Sequence, residues 1–464
     1  MKRFFIFILL PWFFYGELKA QMQASVSSAI VFGGEEQTPF FIYSGQEGQV
    51  LQTDQFFTPY LFMDVGYNTI SKRKRWTFTS KVSGYVTSQP DQNMLVLNQY
   101  YAAATYLGFR LSLGAESTSP RYGGLSLTNG DMLMSNNARP YPKVVFSTDG
   151  YIALPFGVLS KWIEWYAEYG EGVLNDDRYV DRPHLHQKKF HLKLMLPHGF
   201  SVTAGLDDYV MWGGSSPKYG ELDESWQGYW DAIMGNAASS DGLIGDQMNV
   251  AGNHVGQHVF RVGYEVKDFE LEGYYLHLFE DGSGKDFMNF PDGTWGVCWH
   301  KKKRSWLETA VVEWTITKDQ SGTEHIAGQP SGKDNYFNHG VYASGWTYYG
   351  RTIGTPLMVP RKNDQGFAST RMEGLYVGLG GTVQDRWRWE LRSAYWKHYR
   401  WYYKDDPKSY GSNKGYPKEQ WSLGARVLYR LSDRWGCRVD MAMDRGDVVG
   451  DNIGVMFGVK YQIK

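Results

Sequence analysis

The last twelve residues, Ile453 to Lys464, read I-G-V-M-F-G-V-K-Y-Q-I-K. Large apolar residues stand at every second position from Ile453 through Phe457 to Ile463, and most positions between them hold glycine, lysine or glutamine. This two-residue period predicts a β-strand with one apolar and one polar face. A barrel closes by pairing its terminal strands, so we expect this segment to be a closing strand. Its final residue, Lys464, departs from the aromatic residue expected at the end of such a strand.

The same alternation recurs along the whole chain. Clear examples begin at Arg75, Leu107, Lys189, Phe260 and Arg386. A soluble β-sandwich can show such alternation, but it does not need this many strands of roughly 10 residues. The sequence therefore predicts an all-β protein, a transmembrane antiparallel up-and-down β-barrel of about 18 strands.

The composition agrees with this fold class. The 464 residues include 16% aromatic residues and 53 glycines, and the mean hydropathy is −0.45. A helical membrane protein is excluded, because after the N-terminal region no apolar stretch approaches the roughly 20 residues of a membrane-spanning helix. In a transmembrane barrel only alternate residues face lipid, so the average hydropathy stays low. The net charge of −1 gives no reason to expect a nucleic-acid partner, and Cys298 and Cys437 are too few for a disulfide framework.

The N-terminal residues predict export. Two basic residues precede an apolar run from Phe4 to Tyr15, and Ala20 supplies a small residue for signal peptidase. An apolar helix retained as a membrane anchor is the alternative, but the run is shorter than the roughly 20 residues that a span needs. We expect residues 1–20 to be a cleaved signal peptide and 21–464 to be one barrel domain that lies in outer-membrane lipid.

The segment 225–235 follows a helical period instead. Its apolar residues are spaced i, i+3, i+4 and i+7, at Trp226, Tyr229, Trp230 and Ile233. Asp223 or Ser225 can cap the start and Gly235 the end. The sequence predicts a short amphipathic helix that either packs on the rim of the barrel or plugs its lumen.

Several short motifs follow one another in order along the chain. They are Thr38–Tyr43, Gly45–Gly48, Ser135–Pro142, Gly252–His254, Phe279–Gly284, Pro291–Gly296, Asp319–Gly322 and Asp334–Leu357. In these motifs the chain resembles the Wzi family of capsule assembly proteins, outer-membrane barrels of Gram-negative bacteria. The resemblance implies an 18-stranded barrel with a small periplasmic helical element. It also implies a lectin-like role, without enzymatic activity, in holding or organising capsular polysaccharide or exopolysaccharide at the cell surface.

The motif Asp334–Leu357 sets aromatic rings among polar residues. Sugars present flat C–H faces and a rim of hydroxyls, which suit aromatic rings and amide or guanidinium groups respectively. The candidate glycan-binding residues in this motif are Asn335, Asn338, Trp346, Tyr348, Tyr349 and Arg351. The alternative for each ring is a place in the aromatic girdle at a membrane interface.

Asn137 and Arg139 complete the candidate glycan site. They precede Pro140 and Pro142, which cannot donate to a central sheet ladder, so this segment is expected to be a turn or a strand edge. The functional hypothesis is an Arg–Asn pair that meets a glycan carboxylate or hydroxyls. The alternative is a turn that the prolines fix.

Catalytic and metal sites are not indicated. His184, His186 and His191 are expected at a solvated strand end, Asp281–Asp286 in a glycine-rich turn, and Asp207–Asp208 and Asp405–Asp406 in loops or at girdle edges. We expect no cofactor, no metal and no catalytic residue.

A porin-like channel for small polar or anionic solutes is the alternative function. Arg386, Arg388, Glu390 and Arg392 share one face of a strand and are expected to be lumen charges that pair across strands. Such a lumen would favour anions.

Overall fold

The computed structural model describes residues 18–34, 36–71, 76–89, 92–236, 251–320, 334–362, 365–399 and 415–463. Eighteen long strands and the two-residue strand Ile152–Ala153 form one closed antiparallel sheet. In chain order the long strands are β1 (Leu18–Phe32), β2 (Phe57–Ser71), β3 (Trp76–Gln89), β4 (Gln92–Tyr106), β5 (Phe109–Ala115), β6 (Pro142–Thr148), β7 (Ile163–Val173), β8 (His184–Met195), β9 (Phe200–Trp212), β10 (Asn253–Glu265), β11 (Phe269–Phe279), β12 (Gly293–Lys301), β13 (Thr309–Ile316), β14 (Arg371–Val383), β15 (Trp387–Tyr399), β16 (Lys418–Arg430), β17 (Trp435–Gly446) and β18 (Asn452–Gln462).

Strand β1 closes the barrel. It pairs with β2 along its whole length and with β18 from Ser25↔Gln462 to Phe32↔Val455. Every other strand pairs with its neighbours in the chain. The prediction of an up-and-down barrel closed by the C-terminal segment is therefore confirmed.

The apolar faces of the strands point outward. In β18, Ile453 and Phe457 are 70% and 49% exposed, whereas Met456 between them is 3% exposed. In β17, Cys437 alternates in the same way with Val439 on the outward face. An outward apolar face on every strand is what a barrel in a lipid bilayer requires.

The two ends of the barrel differ in the length of their connections. At the end where β1 begins and β18 ends the connections are mostly short, such as 107–108 and 266–268. At the other end lie the long loops 33–56, 213–252 and 317–370. Because outer-membrane barrels have short periplasmic turns and longer extracellular loops, we assign the long-loop end to the cell surface.

Aromatic rings pair on the outer wall near the periplasmic end. The ring centroids of Trp387 and Tyr429 are 4.2 Å apart, and those of Trp435 and Tyr461 are 4.7 Å apart. Rings with an apolar body and a polar tip suit the boundary between lipid and water. Part of the aromatic content therefore forms the girdle considered above.

Three short α-helices lie in the long loops: α1 (Phe40–Tyr43), α2 (Trp226–Met234) and α3 (Gly282–Lys285). Among the described residues, no helix is long and apolar enough to cross a membrane. The resemblance implied a helical element at the periplasmic end. There the described chain has a 3-10 helix, Gly157–Lys161, while α1, α2 and α3 lie at the opposite end.

Helix α2 begins and ends as the sequence predicts. The Ser225 hydroxyl accepts a hydrogen bond from the Gly228 amide at 3.0 Å, and Gly235 ends the helix with φ 69°. The helix packs against Val210 and Trp212, which belong to the outward face of β9, so it covers the outer wall at the rim. Of the two predicted placements, the rim describes α2, and the lumen is filled by other segments.

The lumen wall carries the predicted charges. Glu390 accepts hydrogen bonds from Arg392 at 2.9 Å and from Arg426 of the neighbouring strand at 3.2 Å. Arg388 also approaches Glu390, at 3.4 Å. The expectation that these residues face the lumen and pair across strands is confirmed.

Residues 1–17 lie outside the described residues, and β1 begins at Leu18. The signal peptide over 1–20 and the single domain over 21–464 remain predictions.

Candidate functional site: the loops that fill the lumen

Three loops fold into the extracellular half of the lumen: 33–56, 116–141 and the described part of 317–370. We call them the plug loops. Their buried apolar residues join one hydrophobic cluster with the inner wall. The plug residues of this cluster are Phe40, Phe41, Ile42, Tyr43, Val50, Leu127, Met132, Leu133, Met134, Ala138, Tyr141, Tyr336, Phe337, Tyr342, Trp346, Tyr348, Ile353, Leu357, Met358 and Phe367.

The plug loops pack closely against the wall. One gap, beside Tyr376 and Arg392, holds about 30 Å³, and another, beside Phe41 and Gly424, holds about 10 Å³. A space of this size admits about one water molecule. The packing in this part of the lumen therefore does not favour the porin alternative.

Trp346 is a packing residue of the plug. Its side chain is fully buried, and its ring meets the Tyr209 ring of the wall edge to face at 5.8 Å. Its indole Nε1 donates to the Leu133 carbonyl of a second plug loop at 2.7 Å. Trp346 is therefore inaccessible to a glycan in this conformation.

Asn335 and Asn338 bind other parts of the plug. Asn338 donates from Nδ2 to Asn335 Oδ1 at 3.0 Å and accepts from the Phe367 amide at 2.7 Å. Asn335 Oδ1 also accepts from the Thr370 hydroxyl at 2.8 Å. These amides fix the loop that follows residue 334.

Asn137 and Arg351 join the three plug loops. Asn137 Nδ2 donates to the Thr352 carbonyl at 3.0 Å. Arg351 donates to the Val50 carbonyl at 2.8 Å, and its guanidinium lies 4.3 Å from the centre of the Tyr43 ring. Burial lowers the pKa of Arg351 below its ordinary value. Both side chains therefore stabilise the plug.

Tyr349 and Arg139 form an accessible pair. The Arg139 guanidinium lies 3.9 Å from the centre of the Tyr349 ring, and the Tyr349 side chain is 43% exposed. Tyr348 is buried beneath, where its hydroxyl donates to Asn175 at 2.5 Å. Burial raises the pKa of the Tyr348 hydroxyl, which therefore stays protonated. Of the eight candidate residues, the exposed ring belongs to Tyr349.

The backbone at Tyr349 is strained. The two-residue strands Thr347–Tyr348 and Arg351–Thr352 pair as a hairpin, so Tyr349 and Gly350 are its turn residues. Their φ values are 47° and 68°. Positive φ at both positions defines a type I′ turn, whose first position prefers Asn, Asp or Gly. A tyrosine there is an outlier of the kind that clusters at functional sites.

The Asp176 carboxylate holds this turn in place. It accepts from the Tyr349 amide at 2.8 Å and lies 3.4 Å from Arg178. Arg178 in turn donates to the Thr347 carbonyl at 3.0 Å. Sequence reasoning did not single out Asp176 or Arg178, because the loop 174–183 carries no motif that marks a hairpin partner.

The histidine cluster differs from its expected place at a solvated strand end. His186 is buried on the outer side of β8, where Nδ1 lies 2.6 Å from Glu171. His191 is buried on the lumen side and lies 2.7 Å from Asp207. The correction has a physical reason, because loop 213–252 covers the outer wall at this end. Within the described ranges, no group of three or more His, Cys, Asp or Glu residues is arranged to hold a metal ion.

Asp207 and Asp208 also differ from the expected loop or girdle edge. Both lie within strand β9, and they face opposite sides of the wall. Asp207 accepts from Gln257 at 2.7 Å, whereas Asp208 lies 3.1 Å from Lys188. Asp281 caps the short helix α3 by accepting from Gly284 at 3.0 Å. Asp405–Asp406 lie outside the described residues.

The closed barrel, its outward apolar wall and its filled lumen define a transmembrane β-barrel of the outer-membrane class. The family model described as capsule assembly protein Wzi matches residues 50–360. The chain therefore belongs to the Wzi family of capsule assembly proteins, and it is an outer-membrane protein.

Solved structures with a similar fold include two of known origin. One is Wzi of Escherichia coli, described as an outer-membrane protein involved in group 1 capsule assembly and a carbohydrate-binding β-barrel. It is 15% identical with a TM-score of 0.58, over 94% of this chain and 83% of that one. Another is OprD of Pseudomonas aeruginosa, 9% identical with a TM-score of 0.48, over 97% of this chain and 95% of that one. No curated protein matches the chain.

Proposed function

We propose that this protein holds capsular or extracellular polysaccharide at the cell surface without catalysing a reaction, and that Tyr349 and Arg139 contact the glycan. Family membership supports the capsule assembly role, and the carbohydrate-binding description of the Escherichia coli structure supports the choice of ligand. In this proposal residues 1–20 are removed on export, and 21–464 form a single domain in outer-membrane lipid.

The observation that carries the site is the strained turn that displays Tyr349. A tyrosine at φ 47° costs free energy that asparagine or glycine would not. Asp176, Tyr348 and Arg139 nevertheless hold the ring where solvent reaches it. An aromatic ring beside a guanidinium suits a sugar that carries a carboxylate, because the ring meets the C–H face and the cation meets the acid.

The test is binding of capsular polysaccharide from the protein's own strain to the purified barrel folded in detergent. Tyr349→Asn keeps a residue that a type I′ turn favours, so the loop is expected to fold at least as stably. We expect its affinity to fall about tenfold, and Arg139→Gln to weaken binding in the same direction.

Tyr219→Asn is the matched control. Tyr219 is also an exposed tyrosine in a long loop, and the Lys218 ammonium lies 4.7 Å from its ring centre. Its loss is expected to leave affinity unchanged. Equal affinity of the wild type and Tyr349→Asn would remove this site from the proposal. A wild type that binds no capsular glycan would overturn the proposed function.

A further inference from the structure

A second cavity lies in the lumen on the periplasmic side of the plug loops. It encloses about 670 Å³ between the inner wall and the turns at the periplasmic end. Gln46, Gln49 and Val50 of the first plug loop also line it. We call this cavity the vestibule. Its volume lies within the roughly 300–1,000 Å³ of typical ligand pockets.

The vestibule has an excess of positive charge. Seven arginine and lysine side chains line it, against four aspartates and glutamates. Some of these charges are paired: Arg438 contacts Asp440 at 2.5 Å and Gln46 at 2.7 Å, and Arg304 contacts Asp385 at 3.1 Å. These pairs fix part of the lining in position.

Four other cations have no such pairing. Arg386, Arg430, Arg434 and Lys460 are exposed, and within the part of the chain that the structure describes their side chains have neither a hydrogen bond nor an ion pair. They come from neighbouring strands or turns. The Arg430 amide donates to the Arg386 carbonyl at 2.9 Å, and Lys460 pairs across the sheet with Gly436, two residues after Arg434.

The bland alternative is a set of solvated surface charges. Geometry argues against it, because a concave cavity with low-dielectric walls concentrates the field of charges of one sign. Asp433 lies on the same turn as Arg434 and offsets part of this field, but the basic excess in the lining persists. Guanidinium groups also match carboxylates and phosphates with paired hydrogen bonds.

We propose that the vestibule is a second binding site, open to the periplasm, for an acidic oligosaccharide whose carboxylates meet Arg386, Arg430, Arg434 and Lys460. The plug loops separate it from the Tyr349 turn. The proposal therefore does not rest on a glycan site at the cell surface.

The probes are oligogalacturonate, a neutral dextran oligomer of equal length, and tripolyphosphate, each titrated into the full barrel in detergent. We expect wild type to bind oligogalacturonate, to bind dextran at least tenfold more weakly, and to lose affinity as salt rises. Arg430→Gln combined with Lys460→Gln is expected to weaken binding about tenfold or more.

Lys303→Gln is the control, since Lys303 is an exposed cation at the same end that does not line the vestibule. It is expected to bind as wild type does. Tyr349→Asn is also expected to leave oligogalacturonate binding intact, which separates this site from the one at the cell surface. Loss of binding in Tyr349→Asn with retention in the double variant would overturn the vestibule site.

Equal binding of dextran would overturn the assignment to an acidic ligand. Tighter binding of tripolyphosphate than of oligogalacturonate would overturn the assignment to carboxylates. A wild type that binds none of the three probes would overturn the site as a whole.

Discussion

Two aromatic-rich segments of this chain have opposite fates. In Asp334–Leu357 the rings of Tyr336, Phe337 and Trp346 are fully buried inside the barrel. In helix α2, Trp226 is 73% exposed on the outer side of the wall. The sequence suggested the reverse, with rings of the first segment open to a ligand and the helix as one candidate to fill the lumen.

Neighbouring residues explain the difference. The polar residues around Trp346 are used by the plug itself, because Asn338 closes on Phe367 and the Trp346 indole reaches Leu133. Helix α2 meets only the outward side of β9, so one side of the helix stays uncovered. Aromatic content near polar residues therefore marks a packed loop as readily as a binding surface.

Removing Trp346 should have the largest effect. Trp346→Ala leaves a cavity and an unpaired Leu133 carbonyl, and we expect a loss of about 3–5 kcal/mol in plug stability. The measurements are the denaturant midpoint of the folded barrel and the rate of proteolysis within 334–362.

Trp226→Ala is the matched variant on the outer wall. Because Trp226 is mostly exposed, we expect a change within about 0.5 kcal/mol. Similar losses for both tryptophans would mean that burial does not separate the two segments. A stable Trp346→Ala protein that had lost glycan binding would restore Trp346 to the binding site.

A smaller effect is expected where the first plug loop meets the wall. A β-carbon at Gly424 would lie 2.6 Å from the Phe41 Cβ atom, so Gly424→Ala should displace α1 at a cost of about 1–3 kcal/mol. Gly273 has no atom within 4 Å of the same position, and Gly273→Ala should be neutral or slightly stabilising. Equal denaturant midpoints for the two variants would contradict the close packing of α1.

The barrel could be predicted from the sequence because its physical rule is local. One side of each strand meets lipid, so every second residue of β18 and β15 had to be apolar, and the lumen charges around Glu390 followed from the same alternation. Helix α2 was also predictable, from its period and from the caps Ser225 and Gly235.

The candidate site was less predictable because it depends on contacts between distant loops. The backbone of Tyr349 is held by Asp176, and Asn137 binds Thr352, more than 170 residues away in each case. The one local signal was the Tyr349–Gly350 pair, since glycine in a two-residue turn suggests positive φ. No local pattern distinguished the exposed Tyr349 ring from the buried Trp346 ring.

The smallest effect concerns Asp292, which holds the plug segment that begins at residue 334. This loop carboxylate accepts from the Gln320 amide at 2.7 Å and from the Tyr336 hydroxyl at 3.1 Å. Burial raises the pKa of Asp292 to about 7, although these hydrogen bonds partly oppose the shift. The docked state therefore binds the Asp292 proton more tightly than the undocked state, in which an aspartate has a pKa of about 4.

The sign of the pH dependence follows. The contribution of the Asp292 proton to docking is complete below about pH 4 and is lost as pH rises through about 7. We expect faster hydrogen exchange in residues 334–345 at pH 8 than at pH 5, after correction for the intrinsic pH dependence of exchange. In Asp292→Asn this difference should disappear, because the amide does not titrate. A wild-type difference that persists in Asp292→Asn would assign the pH dependence to another group and leave the docking role of Asp292 unsupported.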